Sequence, residues 1–316
     1  MQAAIAIVSW NTRELLERCL RSVEGDARDG RAEVWVVDNA SEDGSPEMVR
    51  ESCPWATLVA SRDNLGFGSA VNLVASRTNT EWIVPANSDV ELTEGALSTL
   101  IATGERFPSA GIVAPQLVLP SGQTQHSVHS FPTLPFTILF NTGLADLSPT
   151  LADRLVLEGH WQADRPRFVP WAIGALLLVR RAAWEQVGGF DEGQWMYAED
   201  LDLGWRMAQA GWGTRYEPAA RVLHDASAAT AQAWGEERTA RWIQSTYAWM
   251  LRRRGITRTR AAALVNIAGA VWRVPLLAQA ARRRGAPWSD GLREAWGWMR
   301  LHALGLASRP RLERHR

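Results

Sequence analysis

Apolar residues near the start of the chain fall in short runs separated by polar, helix-periodic segments. AAIAIVSW (3–10) is apolar and too short for a helix, so it predicts a buried strand. In NTRELLERCLRSVEG (11–25), Leu15, Leu16, Leu20 and Val23 recur at helical spacing; Asn11 or Thr12 can cap the helix and Gly25 can end it. AEVWVVDNAS (32–41) predicts a second strand running into a turn at Asp38-Asn39. TLVASRDNLGFGSAVNLVASRT (57–78) predicts a third strand, a glycine-bearing loop, and a helix from about Ser69. EWIVPANSDVEL (81–92) predicts a fourth strand finishing in polar residues. This alternation implies an α/β fold with a mostly parallel, doubly wound sheet.

Further on, PQLVLPSGQTQ (115–125) predicts a hairpin around Ser121-Gly122. Residues 126–165 are irregular and prolines recur, in the manner of substrate loops. FVPWAIGALLLVRRAAWEQVGGFDE (168–192) predicts a strand, a short helix and a Gly-Gly turn. YAEDLDLGWRMAQAGWGTRY (197–216) predicts a helix with Leu201, Trp205 and Ala208 on its apolar face, closed by Gly211. A last strand, TRYEPAARVLHD (214–225), carries His224 at its end, and 236–254, 256–284 and 287–305 read as three helices.

Ligands of doubly wound sheets bind past the carboxyl ends of the strands. Ser9, Asp38, Asn39, Asn64, Asn87 and Asp89 all sit there. Turns favour these residue types anyway, so each alone reads as a turn residue, whereas six at one edge read as a site. Glu199, Asp200 and Asp202 put three carboxylates within four positions. A carboxylate in a first helical turn gains about 0.3–1 kcal/mol from the macrodipole. That accounts for Asp202, which points about 200° around the helix from Asp200.

Composition and charge add a domain division. The 316 residues, 46% hydrophobic and 22% charged, suit one large α/β domain plus a smaller appendage. Cys19 and Cys53 are the only cysteines, which argues against a disulfide framework or a structural zinc site. The N-terminus has no basic region before its apolar run and reads as a strand, not a signal peptide; a cytoplasmic location is expected. Lysine is absent. Residues 1–235 hold 17 arginines against 29 acids, and residues 236–316 hold 17 against 5. This predicts a catalytic domain at 1–235 and a basic helical extension at 236–316. Arg273 and Pro275 interrupt the longest apolar stretch of that extension, which disfavours a spanning helix. Its arginine clusters at 252–254 and 282–284, with Trp242, Trp249, Trp272, Trp288, Trp296 and Trp298, suit an anionic membrane surface. A helical cap packed on protein is the alternative. No nucleic-acid partner is expected, because the larger segment is acidic and carries no reader motif.

Six segments in succession, VDNASEDGS (37–45), RDNLGFGSAVN (62–72), PANSDVEL (85–92), GGFDE (188–192), YAEDLDLGWR (197–206) and VLHDASA (222–228), resemble the inverting nucleotide-sugar glycosyltransferases of the GT-A fold. The resemblance is to the rhamnosyltransferase-like branch of family 2 and covers about residues 3–230. It implies Asp200 as the base that deprotonates the acceptor hydroxyl, with Glu199 positioning the acceptor or Asp200. It implies a divalent metal, Mg²⁺ or Mn²⁺, held by Asp89 and His224; Asn87 stands where the family's D-x-D pattern has its first acid. Asp38 would accept from N3–H of a pyrimidine base, and Ser9, Asn39, Asn64 and Asn87 would contact the nucleotide. Gly66 and Gly68 would let the backbone come close; they form no G-x-G-x-x-G fingerprint, so a dinucleotide is disfavoured. Trp171, Gly174, Asp191 and Trp205 would face the sugar and acceptor, with a core position the equal alternative for Trp171 in a chain with 17 tryptophans. The implied donor is dTDP-L-rhamnose or a UDP-sugar, and the implied acceptor is a saccharide or a polyprenyl-diphosphate-linked saccharide in cell-surface glycan synthesis. Residues 236–316 would then make peripheral contact at the inner face of the cell membrane. Two alternatives stand beside this reading. A sugar nucleotidyltransferase would want a glycine- and cation-rich phosphate loop after the first strand, which SWNTREL lacks. A catalytically degenerate glycan- or lipid-binding protein is favoured only by Asn87.

Overall fold

The computed structural model describes residues 1–142, 148, 150, 152–153, 157, 161–194, 197–225, 238–283 and 287–307. They pack as two units, residues 1–129 with 162–236 and residues 130–161 with 237–316. The expected junction at 235/236, the end of the VLHDASA segment and Arg284 lie outside the described residues.

The first unit holds the strands β1 (Ala3–Ser9), β2 (Ala32–Asp38), β3 (Thr57–Ala60), β4 (Trp82–Asn87), β5 (Val90–Leu92), β6 (Ala110–Val118), β7 (Val128–His129), β8 (Arg167–Val169), β9 (Trp171–Ala172), β10 (Leu178–Arg180) and β11 (Gly213–His224). The main sheet runs β3-β2-β1-β4-β10-β6-β11-β5, with β8 also on β11; β7 and β9 pair separately. The first four strands are mutually parallel. β10 is antiparallel to both β4 and β6, and β6 is parallel to β11. Two reversals through β10 therefore restore the original direction, and β1, β2, β4 and β11 all end on one rim. β1 is buried along nearly its whole length, as expected of a strand covered on both faces.

The helices of this unit are α1 (Arg13–Arg28), α2 (Ser45–Ser52), α3 (Phe67–Arg77), α4 (Ala96–Arg106), α6 (Arg181–Val187) and α7 (Glu199–Gln209); α5 (Leu134–Thr142) belongs to the second unit. Several expectations shift. α1 runs through Gly25, and Gly30, at φ +70°, takes the turn that follows it. The expected strand 81–92 is two strands: the chain leaves the ladder at Ser88-Asp89, and β5 pairs antiparallel with β11 near the opposite edge. The hairpin at 115–125 forms, closed by Val118 and Thr124. The irregular stretch from 126 contains α5, whose Pro135 sits in the first turn where a missing N–H costs nothing.

Gly68 packs against the GGFDE turn. A Cβ there would stand 2.9 Å from Phe190 Cβ, so the glycine admits the ring of the GGFDE turn. Asn72 fixes the same turn, accepting from Phe190 N–H at 2.9 Å and donating to Phe190 O at 3.0 Å. On α7 the buried side is Leu201, Asp202, Leu203, Gly204 and Met207, while Ala208 is exposed and Trp205 half-buried. Asp202 is fully buried against Arg206 at 2.6 Å, and Arg206 donates onward to Val187 O at 2.7 Å. Asp202 is thus a structural acid. Asp202→Ala would leave the guanidinium without its carboxylate and should cost about 3 kcal/mol, read as a lower urea midpoint at unchanged slope.

The second unit contains α5, α8 (Arg238–Arg254), α9 (Ile256–Trp272), α10 (Val274–Arg283) and α11 (Trp288–Ala303). The expected single helix 256–284 breaks at Arg273 and bends by 41°. Pro275 supplies the reason: its ring has no N–H and clashes with the preceding turn. A part-buried polar chain ties the helices. Asn141 donates to Asn266 at 2.7 Å, Asn266 to Tyr247 Oη at 3.0 Å, and Tyr247 lies 2.9 Å from His302 Nδ1. Burial and nearby Arg273 push His302 down to about 4, which leaves it a neutral acceptor for the Tyr247 hydroxyl. Among the described residues no single helix is long and apolar enough to cross a membrane; the bent pair α9–α10 passes by length and composition only.

Candidate active site

Parallel pairing sets the nucleotide side of the rim. Ser9 and Asp38 are partners in the β1–β2 register, and Val8 pairs with Asn87. Ser9 shares a hydrogen bond with Thr12 at 3.0 Å, and Thr12 another with Ser88 at 2.7 Å, so the end of β1 is tied to the Asn87-Ser88-Asp89 turn. Asp38 is 1% exposed. Its Oδ1 accepts from Ser41 N–H at 2.9 Å, while Oδ2 is buried and meets no donor among the described residues. An unmet buried acceptor costs about 1–3 kcal/mol, and a ring N–H of a base would satisfy it. Asn39 accepts from Leu65 N–H at 3.4 Å and Asn64 from Gly66 N–H at 2.9 Å, so both shape the loop between β3 and α3. Gly66 takes φ +79° there, a conformation glycine adopts without strain. Ala40 at φ +64° and Asn11 at φ +52° show that the facing loops are held in unusual geometry. No sequence signal marks Ala40.

Asp89 and His224 come together from distant parts of the sequence. His224 Nε2 lies 3.4 Å from Asp89 Oδ1, which is buried and accepts no hydrogen bond among the described residues. His224 Nδ1 is 2.7 Å from Gln125 Oε1. With an acceptor facing it, Nδ1 is the donor to Gln125, and Nε2 faces Asp89. A carboxylate and an imidazole that face each other unbonded, with the far ring nitrogen donating to a carbonyl, suit a shared divalent cation. Among the described residues no group of three His, Cys, Asp or Glu side chains could hold a metal; this pair would need further oxygens from a ligand. Gln125, part of the hairpin, was not legible as a site residue because its role depends on where β11 lies.

The carboxylate pair opens α7. Tyr197 adopts φ +70°, costly for an aromatic residue, and turns the chain into the helix. Asp200 Oδ2 accepts from Gly174 N–H at 3.0 Å and Oδ1 from Leu201 N–H at 2.7 Å. The next residue, Ala175, accepts Asn87 N–H at 2.9 Å. Asp200 is therefore linked through Gly174 and Ala175 to the turn that carries Asp89. Burial pushes Asp200 up, opposed by the N–H groups of Gly174 and Leu201 and by His129. Burial and then the adjacent Asp200 charge push Glu199 up. Glu199 Oε2 accepts from Ala198 N–H at 2.9 Å.

The four residues expected at the acceptor have varied surroundings. Gly174 holds Asp200, and a Cβ there would stand 3.2 Å from Asp200 Cβ. Trp171 is 5% exposed, and His129 stacks on it at 4.8 Å, so one indole face is already covered. Asp191 accepts from Gly193 N–H at 2.9 Å and shapes the GGFDE turn. Trp205 is half-buried on α7.

Comparison with known proteins agrees with this geometry. Residues 4–148 match the model of glycosyl transferase family 2, and residues 140–306 match that of glycosyl transferase family group 2. An N-acetylglucosaminyl-diphospho-decaprenol L-rhamnosyltransferase of Mycobacterium tuberculosis is 34% identical over 237 residues, covering 70% of this chain and 75% of that protein. The rhamnosyltransferase WbbL of Escherichia coli is 36% identical over 87 residues, covering 27% of this chain and 32% of that one. In structure, a mannosyltransferase of Pyrobaculum calidifontis, solved with GDP-Man and Mn²⁺, superposes with TM-score 0.59 at 21% identity over 96% of this chain and 85% of that one. GalNAc-T7 with UDP, GalNAc and Mn²⁺ superposes with TM-score 0.55 at 14% identity over 78% and 51%. The sheet order and these matches agree: the chain is a glycosyltransferase of family 2, with the GT-A fold and a rhamnosyltransferase-like sequence.

Proposed function

We propose that the protein is an inverting, metal-dependent hexosyltransferase that moves L-rhamnose from a dTDP- or UDP-linked donor to a polyprenyl-diphosphate-linked saccharide. The observation that carries it is the hydrogen-bonded path from Asp200 through Gly174-Ala175 to Asn87, which links a half-buried carboxylate to the turn bearing Asp89. Asp38 receives the base through its unmet Oδ2, with Ser9, Asn39, Asn64, Gly66 and Asn87 around the nucleotide. The acceptor oxygen attacks the anomeric carbon as the bond to the diphosphate breaks. Its proton passes to Asp200, and Glu199 steadies that carboxylate from the same helical turn. A divalent cation, Mg²⁺ or Mn²⁺, between Asp89 and His224 would neutralise charge on the leaving diphosphate. Asp191, Trp205, Trp171 and Gly174 border the acceptor side.

The named acceptor of the mycobacterial relative is lipid-linked, and the helical unit suits a membrane surface. Trp272 is 75% exposed, and Leu264, Leu276, Trp288 and Trp296 are exposed beside arginine-bearing helices; Trp249, by contrast, is buried. We assign catalysis to 1–235 and peripheral contact with the cytoplasmic face of the membrane to 236–316. Calorimetry with dTDP and UDP, each with and without Mn²⁺, and product masses from a panel of donors with a polyprenyl-diphosphate saccharide test the whole reading. Metal-strengthened nucleotide binding and a single deoxyhexose addition are expected. Full turnover in chelator would remove the metal, and transfer of a different sugar would remove rhamnose.

A further inference from the structure

Thr12 stands at the N-cap position of α1, where its carbonyl accepts from Leu16 N–H at 2.8 Å. A threonine hydroxyl at this position ordinarily accepts from an N–H of the first turn. The hydroxyl of Thr12 makes no such bond. Asp43, from the loop after β2, accepts from Arg13 N–H at 2.8 Å instead. The Thr12 hydroxyl is shared between Ser9 Oγ at 3.0 Å and Ser88 Oγ at 2.7 Å. All three residues are buried.

The two ends of this hydroxyl chain lead to different parts of the rim. At one end, Ser9 pairs with Asp38 in the β1–β2 register, and its carbonyl accepts from Asn39 N–H at 2.8 Å. At the other end, Ser88 adjoins Asp89, whose buried Oδ1 faces His224 Nε2 at 3.4 Å. The β1–β4 ladder stops at Val8 and Asn87, so Asp89 lies beyond the last pairing. On the β11 side the turn is fastened by its backbone, with Asp89 O accepting from Asp225 N–H at 3.0 Å. On the β1 side Thr12 supplies a side-chain fastening. A buried hydroxyl diverted from its usual local partner breaks a local rule, and such departures belong to functional sites.

We propose that Thr12 is a positioning residue that couples the two halves of the donor site. Its hydroxyl holds the Asn87-Ser88-Asp89 turn in place against the end of β1, so a nucleoside diphosphate seated on Asp38 meets the metal-binding carboxylate already aligned. This role rests on the metal reading of Asp89 and His224. In it Thr12 touches neither nucleotide nor cation. A turn held beforehand in its bound arrangement loses less freedom when the two bind together.

The test is calorimetry of UDP and dTDP, with and without Mn²⁺, on full-length wild type, Thr12→Val, Thr12→Ser and Ser88→Ala. The factor by which Mn²⁺ tightens nucleotide binding should fall about 5–10-fold in Thr12→Val, the loss that one or two hydrogen bonds account for, while metal-free nucleotide affinity stays within about threefold. Thr12→Ser keeps the hydroxyl and should restore the wild-type factor. Ser88→Ala leaves Thr12 intact and should lower the factor as Thr12→Val does. The double variant should be no worse than either single one, because both cut the same tie. An unchanged factor in Thr12→Val or Ser88→Ala, with stability alone reduced, shows a purely structural hydroxyl and overturns the proposal. Thr12→Ser behaving like Thr12→Val overturns it too. A wild type in which Mn²⁺ has no effect would overturn the metal reading, and this role with it, so the wild-type titration tells the two failures apart.

Discussion

Asp200→Asn is expected to lower kcat by about 10³-fold, within the range a positioned general base supplies, while the affinity for UDP or dTDP stays within twofold. The amide keeps the size of the side chain but cannot take a proton from a hydroxyl. One of its termini can still accept from Gly174 N–H, as Asp200 Oδ2 does at 3.0 Å. Folding should move in the opposite direction to activity. Burial raises the pKa of Asp200 above its unfolded value. The ionised form is therefore disfavoured in the native state, and stability falls as pH rises from the ordinary carboxylate range to the raised value. Removing the charge should make the variant at least as stable as wild type at pH 7 and flatten that part of the stability–pH curve. Asp202→Ala provides the contrast, because there the charge is paired with Arg206 and its loss destabilises. Product formation, calorimetry and urea titration at pH 4 and pH 7 separate these effects. An Asp200→Asn enzyme with wild-type turnover would show that another group takes the proton.

The parallel half of the sheet was legible because each strand is a short apolar run ending in polar residues, and parallel pairing brings such ends together. Ser9, Asp38 and Asn87 follow from that pattern alone, and their registers agree. The other half was not legible. β10 enters antiparallel between β4 and β6, and β5 pairs with β11, through contacts far apart in sequence that leave no periodic trace. The same limit applies to single residues. Gly68 and Gly174 read as loop or ligand glycines, yet one admits Phe190 and the other Asp200. Gln125 and His129 carry no motif; each meets a partner brought close only by the fold, His224 and Trp171 respectively. α5 was hidden by its prolines, although Pro135 occupies a position where a helix tolerates it.

Asp89→Ala is expected to weaken Mn²⁺ binding, measured in the presence of nucleoside diphosphate, by more than 100-fold and to reduce transfer by roughly 10²–10³-fold, the rate equivalent of about 3–4 kcal/mol. Asp89 Oδ1 is buried, accepts no hydrogen bond among the described residues, and faces His224 Nε2 at 3.4 Å. A carboxylate without a role there would carry an uncompensated desolvation cost; a cation between the two groups removes it. Gln125→Ala should produce the same defect in weaker form, about 10–100-fold in metal affinity, because it frees the His224 ring without removing a ligand. The ordering is the discriminating result. If Asp89 and Gln125 served only to hold the turn and the hairpin, both variants would lose stability and neither would lose metal affinity selectively. If Gln125→Ala matched Asp89→Ala in severity, His224 would have to be the dominant ligand and Asp89 its electrostatic support. The predicted gradient instead makes the carboxylate the anchor and the imidazole the group that Gln125 aims.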